Sequence, residues 1–377
     1  MISFVIPTRN RPERLSATLD ALGKLTLGRS AEVILADNAS DEPVCAPGAI
    51  ASGAPVRVVR LHVNLGAAAR NAAVDAASPA ASWVIMLDDD SYPVERHEPF
   101  GAFLDRLDRQ PREVAAVMAD IHLPAERRRE SGGLPEVFIG CGAAIRRDAF
   151  AAAGGYDPAF GYYAEEYDLA AKLLLRGARI VFDPAFVVHH HKAAAGRDVD
   201  LILERLVRNN CWVMQRYAPD DLRRRMLREQ RRRYRQIADK ERALAGFGRG
   251  LVELRHTLRA QPRTVMPRPV WHRFTGLAHA RAALAQAWQH RPFGSAATIE
   301  PGKNSWAVEQ ALSELCAENG IELTAPDRAD ALVIATLSPG PMLDAAERWA
   351  RAGRHVVLPW IAARPHATGG ICRVVAA

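Results

Sequence analysis

Residues 83–90 read WVIMLDDD, a short apolar run followed directly by three aspartates. A run without polar interruption is typical of a β-strand whose sheet is covered on both faces. Similar runs occur in residues 2–6 (ISFVI) and 31–37 (AEVILAD), and helix-like segments such as RPERLSATLDAL lie between them. This alternation predicts a parallel sheet wrapped by helices.

The predicted strands end in polar clusters. These are PTRN (residues 7–10), ADNAS (36–40), HVNLG (62–66) and DDDS (88–91). Because ligands of open α/β sheets sit at the carboxyl ends of the strands, we expect the four clusters to meet at one crevice.

The three consecutive carboxylates of Asp88, Asp89 and Asp90 repel one another unless positive charge neutralises them. Alternate residues of an extended chain point the same way, so Asp88 and Asp90 can share one side. Mg²⁺ or Mn²⁺ accepts such oxygens and keeps room for a diphosphate. The triplet therefore favours a metal and diphosphate site, and a solvated acidic turn is the alternative.

Two further clusters carry groups suited to a nucleotide. Asp37 and Asn38 can bond a ribose or a base edge, and Arg70 offers a planar fork to phosphate or a carbonyl. Gly66 begins a predicted helix whose N-terminal amides favour anions. A turn-capping role for Asp37 and a surface role for Arg70 are the alternatives.

Seven segments, in order over residues 1–195, resemble the family 2 glycosyltransferases of the GT-A fold, especially the rhamnosyltransferase-like branch. They are VIPTRNRPERLSATLDAL, ADNASDE, NLGAAARNAA, LDDDSYP, GCGAAIRRDAF, GGYDPAFGYYAEEYDLAAKLLLRG and VVHHH. The resemblance implies an α/β fold with a mixed, mainly parallel sheet between helices. It also implies transfer of a hexosyl or deoxyhexosyl group from a nucleotide-diphosphate donor to a hydroxyl of a glycan, lipid-linked or other acceptor.

The resemblance assigns roles to individual residues. The nucleotide-sugar pocket would contain Pro7, Thr8, Arg9, Asn10, Asp37, Asn38, Asn64, Gly66, Arg70, Asp88 and Asp89. The Mg²⁺ or Mn²⁺ site would contain Asp90, Asp88, His189 and His191. The donor and acceptor pocket would contain Gly140, Cys141, Gly142 and Asp168.

The acidic pair Glu165 and Glu166 falls where the family carries its general base, at the second position. Aspartate is commoner there, but the longer side chain of Glu166 is compatible with a base. Glu166 is thus predicted to take the acceptor proton in a single inverting displacement, with Glu165 as the second candidate. The alternative is that both acids only stabilise a helix N-terminus.

His189, His190 and His191 follow a predicted strand, near the position where the family often supplies a histidine to the metal or diphosphate. Neutral imidazole is a common metal ligand, and alternation would place His189 and His191 on one side of the strand. The sequence leaves open which of the three faces the metal.

Composition predicts three domains. These are a catalytic domain (residues 1–197), an arginine-rich helical extension and linker (198–296), and a small accessory α/β domain (297–377). The last of these resembles the later part of a Rossmann unit. It lacks a glycine-rich phosphate loop, so no nicotinamide site is predicted.

The net charge and the N-terminal sequence give predictions about binding partners and cellular location. The net charge is +7, and eight arginines lie within residues 221–235. No nucleic-acid-reading motif accompanies them. They therefore favour peripheral contact with an anionic membrane, with a solvated helix as an equal alternative. The N-terminus lacks a signal-peptide pattern and no apolar run is long enough to cross a bilayer, which predicts a cytoplasmic protein, at most peripheral at the inner membrane face.

Two other classes of protein are alternatives to a glycosyltransferase. A nucleotidyltransferase also uses carboxylates and metal, but the acidic pair and the lack of an N-terminal glycine-rich loop argue against it. An inactive sugar-nucleotide-binding or scaffold protein would lack the metal carboxylates or the base, and the sequence carries both.

Overall fold

The computed structural model describes residues 1–96, 98–192 and 198–360. The predicted domain boundary at residue 197 and the last part (361–377) of the predicted C-terminal domain (297–377) lie outside these ranges.

Nine strands of the described chain form one sheet. They are β1 (Ile2–Thr8), β2 (Ala31–Asp37), β3 (Val56–Arg60), β4 (Trp83–Met86), β5 (Ser91–Pro93), β6 (Val114–Leu123), β7 (Arg128–Arg129), β8 (Ala143–Arg146) and β9 (Arg179–His190). Their order is β3-β2-β1-β4-β8-β6-β9-β5, with β7 beside β6. The β1–β2, β2–β3, β1–β4 and β6–β9 pairs are parallel and contain most of the paired residues.

Helices cover both faces of this sheet. They are α1 (Pro12–Gly23), α2 (Ala69–Ala76), α3 (Phe100–Asp108), α4 (Arg147–Ala152) and α5 (Glu165–Leu175). Helix α1 has a proline at its first position, where no amide hydrogen is needed, and it buries Leu15, Leu19 and Leu22 along one stripe.

Alternate residues of the central strands enter two different apolar cores. Phe4 and Ile6 of β1 pack in the core beneath α1 and α3, whereas Val5 packs in the core on the opposite face. All three side chains are fully buried. The continuous apolar character of these strands therefore follows from burial on both faces, as the sequence predicts.

Five helices follow the sheet. They are α6 (Val199–Tyr217), α7 (Asp220–Lys240), α8 (Leu244–Thr257), α9 (Arg268–Thr275) and α10 (Leu277–His290). Helix α6 packs against α5, α7 and α8. Within the described ranges, no helix combines the length and apolarity that crossing a membrane requires.

A small parallel sheet ends the described chain. Its strands are β10 (Ser295–Ile299), β11 (Glu322–Leu323), β12 (Ala331–Ile334) and β13 (Val356–Val357), in the order β11-β10-β12-β13. Two helices accompany it, α11 (Ser305–Asn319) and α12 (Pro339–Arg351). Arg129 of β7 pairs with Asp344 at 2.7 Å and with Glu347 at 2.8 Å, which joins α12 to the large sheet.

The architecture confirms the predicted fold class. It is a mixed, mainly parallel sheet between helices, followed by a helical segment and a small C-terminal α/β region. The apolar core beneath α2 and α5 continues through the later helices into the small sheet, so these parts pack together.

Candidate active site

A cavity of about 470 Å³ opens at the carboxyl ends of β1 and β4. On one side it is lined by Pro7, Thr8, Arg9, Arg11, Asn38, Arg70, Asp88, Asp89 and Asp90. On the other side it is lined by Glu130–Gly133, Phe138–Cys141, Tyr162–Tyr167, His190, Lys192, Leu206, Asn210, Tyr234 and Lys303. The parallel pairing of β1 with β4 brings the predicted PTRN and DDDS clusters together at this edge.

Asp89 and Asp90 share one arginine. The guanidinium of Arg11 donates to Asp89 and to Asp90, each at 2.5 Å, and the hydroxyl of Thr8 donates to Asp89 at 2.8 Å. Burial raises the pKa of Asp89 to about 6 despite these contacts. Burial also acts to raise the pKa of Asp90, but His190 and Arg11 outweigh it and lower that pKa to about 2.

Asp88 forms an ion pair with Arg70, whose side chain is buried. The same guanidinium donates to the carbonyl of Leu87 at 3.1 Å. Burial acts to lower the pKa of Arg70, but Asp88 outweighs it and the pKa is raised, so the guanidinium stays charged. Arg70 thus lies in the pocket wall, not on the surface.

The structure changes which histidine belongs to the site. Strand β9 runs antiparallel to β5 with His190 opposite Ser91, so His190 lies beside Asp90 in the pocket. His189 and His191 point to the other side of β9. His189 lies near His122, and His191 lies 2.9 Å from the hydroxyl of Tyr92. Alternation does put His189 and His191 on one side, as predicted, but that side faces away from the pocket.

His190 is enclosed by acids. Its Nε2 lies 3.3 Å from Asp90, and its Nδ1 lies 3.0 Å from Glu130 and 3.5 Å from the sulfur of Cys141. Burial acts to lower the pKa of His190, but these neighbours outweigh it and raise the pKa well above its ordinary value. Glu130 is held in turn by Lys192 at 2.6 Å.

Asp88, Cys141 and His190 could hold a metal ion, since one ligand atom from each lies within 4.8 Å of the others. A carboxylate oxygen and an imidazole nitrogen suit Mn²⁺, and the oxygen suits Mg²⁺. Burial raises the pKa of the Cys141 thiol, which makes it a poor ligand for a hard cation. Both oxygens of Asp90 contact Arg11 or His190, and both nitrogens of His190 contact Asp90 or Glu130, so a metal would replace one of these contacts. Of the two predicted aspartates, Asp88 is the one that lies within ligand distance of both His190 and Cys141.

Glu165 and Glu166 begin α5 and line the cavity opposite the aspartates. Glu166 accepts a hydrogen bond from the amide of Gly140 at 3.2 Å, and a Cβ at Gly140 would lie at the same distance from that oxygen. Glu165 is buried, and one of its carboxylate oxygens has no hydrogen-bond partner. Burial raises the pKa of both carboxyl groups, and the charge of Glu166 raises that of Glu165 as well.

The loop before α5 holds an unusual backbone. Tyr163 and Ala164 both have left-handed conformations, with φ of 73° and 66°. Such positions cost about 1–3 kcal/mol each in residues other than glycine, unless their surroundings hold them. The buried amide of Asn209 in α6 lies within hydrogen-bond distance of the carbonyls of Phe160, Tyr162 and Tyr163, at 3.0, 2.9 and 2.6 Å. Helix α6 therefore fixes the loop that presents Glu166.

Asp168 lies outside the predicted donor and acceptor pocket. It is fully buried and accepts hydrogen bonds from Arg216 at 2.8 Å and from the hydroxyl of Tyr217 at 2.7 Å. It also pairs with Lys172 at 2.6 Å. One turn along α5 from the acidic pair, its side chain turns away from the cavity and anchors α5 to α6.

Several residues predicted for the nucleotide pocket support it from outside. Asp37 is fully buried and accepts a hydrogen bond from the backbone amide of Ser40 at 2.9 Å. This contact is the one expected if Asp37 caps a turn. Asn64 accepts from the amide of Gly66 at 2.9 Å. A Cβ at Gly66 would lie 2.2 Å from the carbonyl of Gly161, so Gly66 lets two loops approach.

Two more predicted residues do not line the cavity. The side-chain amide of Asn10 donates a hydrogen bond to Asp41 at 2.9 Å. Gly142 packs against Ala119 and Ile121.

Several residues that line the cavity are absent from the predicted site. Arg11 adjoins the PTRN cluster and could have been included from that position alone. Asn210, Tyr234 and Lys303 come from α6, α7 and the loop before α11, and no local motif marks them.

The mainly parallel sheet between helices, with a cavity at the carboxyl edge of its strands, is the architecture of the GT-A fold. Residues 3–153 match the family model described as "Glycosyl transferase family 2". A stretch of 91 residues is 36% identical to an uncharacterized glycosyltransferase of Haemophilus influenzae, and it covers 24% of this chain and 29% of that protein. These matches support family 2 for the N-terminal part of the chain and do not distinguish a rhamnosyltransferase-like branch.

Two solved structures resemble the chain weakly. Staphylococcus aureus TarS 1–349 in complex with UDP-GlcNAc is 14% identical with a TM-score of 0.48, over 85% of this chain and 92% of that one. GalNAc-T7 with UDP, GalNAc and Mn²⁺ is 18% identical with a TM-score of 0.45, over 58% of this chain and 48% of that one. At TM-scores below 0.5, neither likeness bears on the donor, metal or acceptor of this protein.

Proposed function

We propose that this protein transfers a sugar from a nucleotide-diphosphate donor to a hydroxyl of a glycan or lipid-linked acceptor, with inversion at the anomeric carbon. The observation that carries the proposal is that the aspartate cluster and Glu166 face the same cavity. A phosphate-binding end and a proton acceptor across one opening are what a single displacement needs.

The end of the cavity formed by Thr8, Arg11, Asn38 and Asp88 binds the donor in this proposal. Asn38 is fixed by hydrogen bonds to the amide of Leu65 and the carbonyl of Gly66, at 2.8 and 3.0 Å. Arg9 and Arg11 supply positive charge at this end, with Arg9 on the exposed side. A divalent cation held by Asp88 and His190 would neutralise charge on the diphosphate, and its binding would release the proton that Asp90 and Glu130 favour on His190.

Glu166 acts as the base. Its carboxylate takes the proton of the acceptor hydroxyl, and the acceptor oxygen forms a bond to the anomeric carbon. The bond from that carbon to the diphosphate oxygen breaks, and its electron pair leaves with the diphosphate. The backbone amide of Gly140 donates a hydrogen bond to the Glu166 carboxylate, and this contact stabilises the ionised form that a base needs.

The partner surface proposed for α7 is an anionic membrane. Its arginines Arg224, Arg225, Arg228, Arg231, Arg232 and Arg235 are exposed. Helix α7 buries Met226, Leu227, Tyr234 and Ala238 against the rest of the protein. The helix therefore presents a basic face outward while its apolar face is already used, so contact would be electrostatic at the surface, without insertion.

Nucleotide release from a panel of UDP, GDP and dTDP sugars, with and without Mn²⁺, tests the proposed function. We expect at least one donor to be consumed in the presence of an acceptor hydroxyl, and the product to have the inverted anomeric configuration by NMR. A product of retained configuration would contradict the single displacement. A protein that neither binds nor consumes any donor would contradict the transferase itself.

A further inference from the structure

Lys303 reaches the active-site cavity from the C-terminal α/β region. It lies on the loop between β10 and α11 and lines the cavity together with Glu166, Tyr167 and Tyr234. Its ammonium nitrogen lies 4.3 Å from the centroid of the Tyr167 ring. The region that the sequence suggests is only accessory thus contributes a charged group to the site.

The backbone holds Lys303 in this position. The carbonyl of Lys303 accepts from the amide of Leu337 at 2.9 Å, and its amide donates to the hydroxyl of Thr336 at 3.2 Å. A Cβ at the preceding Gly302 would lie 2.6 Å from the same hydroxyl oxygen. The loop is therefore packed against the residues after β12, and its approach to the cavity is fixed.

No carboxylate of the described chain forms an ion pair with the ammonium of Lys303. Glu166 is close enough to act on it electrostatically, but Arg233 opposes this with a second positive charge. Arg233 lines a small adjoining cavity with Lys303, and its guanidinium lies 3.4 Å from the carbonyl of Gly302. Burial and Arg233 together lower the pKa of Lys303 to about 7. An enclosed cation beside another cation is unfavourable without an anion.

Lys303 lies where the active-site cavity adjoins the small second cavity, since it lines both of them. None of the three aspartates lines that second cavity. The aspartates have their own cations in Arg11, Arg70 and His190. The donor end is thus provided with positive charge independently, and Lys303 lies next to the base.

We propose that Lys303 determines acceptor specificity by binding an anionic group, a carboxylate or a phosphate ester, close to the acceptor hydroxyl that Glu166 deprotonates. This inference rests on the proposed function. It gives the C-terminal α/β region a part in the reaction, since it supplies the residue that recognises the acceptor.

Matched acceptors test the inference. Methyl hexosides are compared with the corresponding uronates and 6-phosphates at saturating donor, and kcat/KM is measured for each. We expect the wild-type protein to prefer at least one anionic form by about tenfold or more, the scale of a hydrogen bond to a charged group. Lys303→Met should bring that ratio close to one, and Lys303→Arg should keep most of it. Preference for the uronate or for the 6-phosphate identifies which anion is bound.

The control is Lys240→Met, at the exposed end of α7, which should leave the ratio unchanged. A wild-type ratio near one for both anions, or a Lys303→Met ratio equal to that of the wild type, overturns the inference. Donor consumption with the neutral acceptor or with water is measured in the same assays, so loss of the preference alone leaves the proposed transferase intact. Absence of donor consumption under every condition overturns both.

Discussion

The two ends of the active-site cavity are built in different ways. The donor end consists mainly of residues at or shortly after the carboxyl ends of β1 and β4, such as Thr8, Arg11 and Asp88. The acceptor end consists of Glu166 together with side chains from later elements, including Tyr234 and Lys303. One end therefore depends mainly on the sheet, with Arg70 of α2 as the partner of Asp88. The other depends on the packing of later helices and of the C-terminal region against the sheet.

The two ends of the cavity therefore differ in how freely their residues can move. Strand ends are fixed by backbone pairing along the whole sheet, so the donor end has little freedom to move. The acceptor end depends on single contacts between elements, such as those of Asn209 with the loop before α5. We expect changes at the donor end to weaken donor binding, and changes at the acceptor end to affect turnover or acceptor choice.

The largest effect is expected at the acceptor end, from Glu166→Gln. Loss of the base should lower the rate of transfer by about 10²–10⁴-fold, because amide nitrogen and oxygen cannot accept the proton. The measurement is the steady-state rate of nucleotide release at saturating donor and acceptor. Glu241→Gln, an exposed residue after α7, is the matched control. Transfer at a near-normal rate would remove Glu166 from its proposed role.

At the donor end, Asp88→Asn should weaken donor binding and the response to divalent cations. Removal of a metal ligand is expected to cost at least about tenfold in apparent metal affinity. It also leaves the buried Arg70 without its carboxylate partner. Titration of Mn²⁺ at fixed donor measures the effect, with Asp75→Asn on the exposed face of α2 as control. An unchanged Mn²⁺ response would show that the aspartate does not bind the cation.

A smaller effect is expected from Asn209→Ala, which touches neither substrate. The loop before α5 would lose the side-chain amide that lies among three of its carbonyls, although Phe160 would keep its contact with Arg208. The free energy of unfolding should therefore fall by about 1–3 kcal/mol. We expect kcat to fall by about tenfold while donor affinity stays unchanged, since modest displacement of a reacting group is costly. Asn319→Ala at the end of α11 serves as control. Weaker donor binding with an unchanged kcat would contradict this prediction, because it would show that Asn209 acts on the donor end of the cavity.

The smallest effect on turnover in solution is expected from α7. Replacement of Arg224, Arg225 and Arg228 by glutamine should leave transfer to a water-soluble acceptor unchanged. It should reduce binding to anionic vesicles, because each basic residue near such a surface contributes about 1 kcal/mol. Flotation with phosphatidylserine vesicles, compared with neutral vesicles, measures this. Equal flotation of variant and wild type would favour the solvated-helix alternative.

The sequence predicts the donor end well and the acceptor end in part. Polar clusters after apolar strands must meet at the carboxyl edge of a parallel sheet, which is why Thr8, Arg70 and Asp88 could be chosen in advance. The acidic pair at Glu165 and Glu166 was predicted from resemblance, and the structure brings both residues to the same cavity. Their catalytic roles stay predictions.

The remaining residues could not be chosen because they depend on register and packing. His190 faces the pocket because β9 pairs with β5 at that position, and alternation alone cannot say which side of a strand faces inward. Asp168 was assigned to the pocket by resemblance, but it meets Arg216 of α6, a contact made only when the two helices pack. Lys303 belongs to no recognisable sequence motif, and it lines the cavity with Glu166 only because the C-terminal region packs there.

In the proposed mechanism, donor binding and proton removal take place at opposite ends of one cavity. Calorimetric titration of a sugar nucleotide that the wild-type protein consumes, at fixed Mn²⁺, tests it on Glu166→Gln and Asp88→Asn. We expect Glu166→Gln to bind the donor as the wild type does. We expect Asp88→Asn to bind it at least about tenfold more weakly, a difference of about 1.4 kcal/mol. Equal weakening in both variants would contradict the division of the site, and normal binding by Asp88→Asn would contradict the donor end.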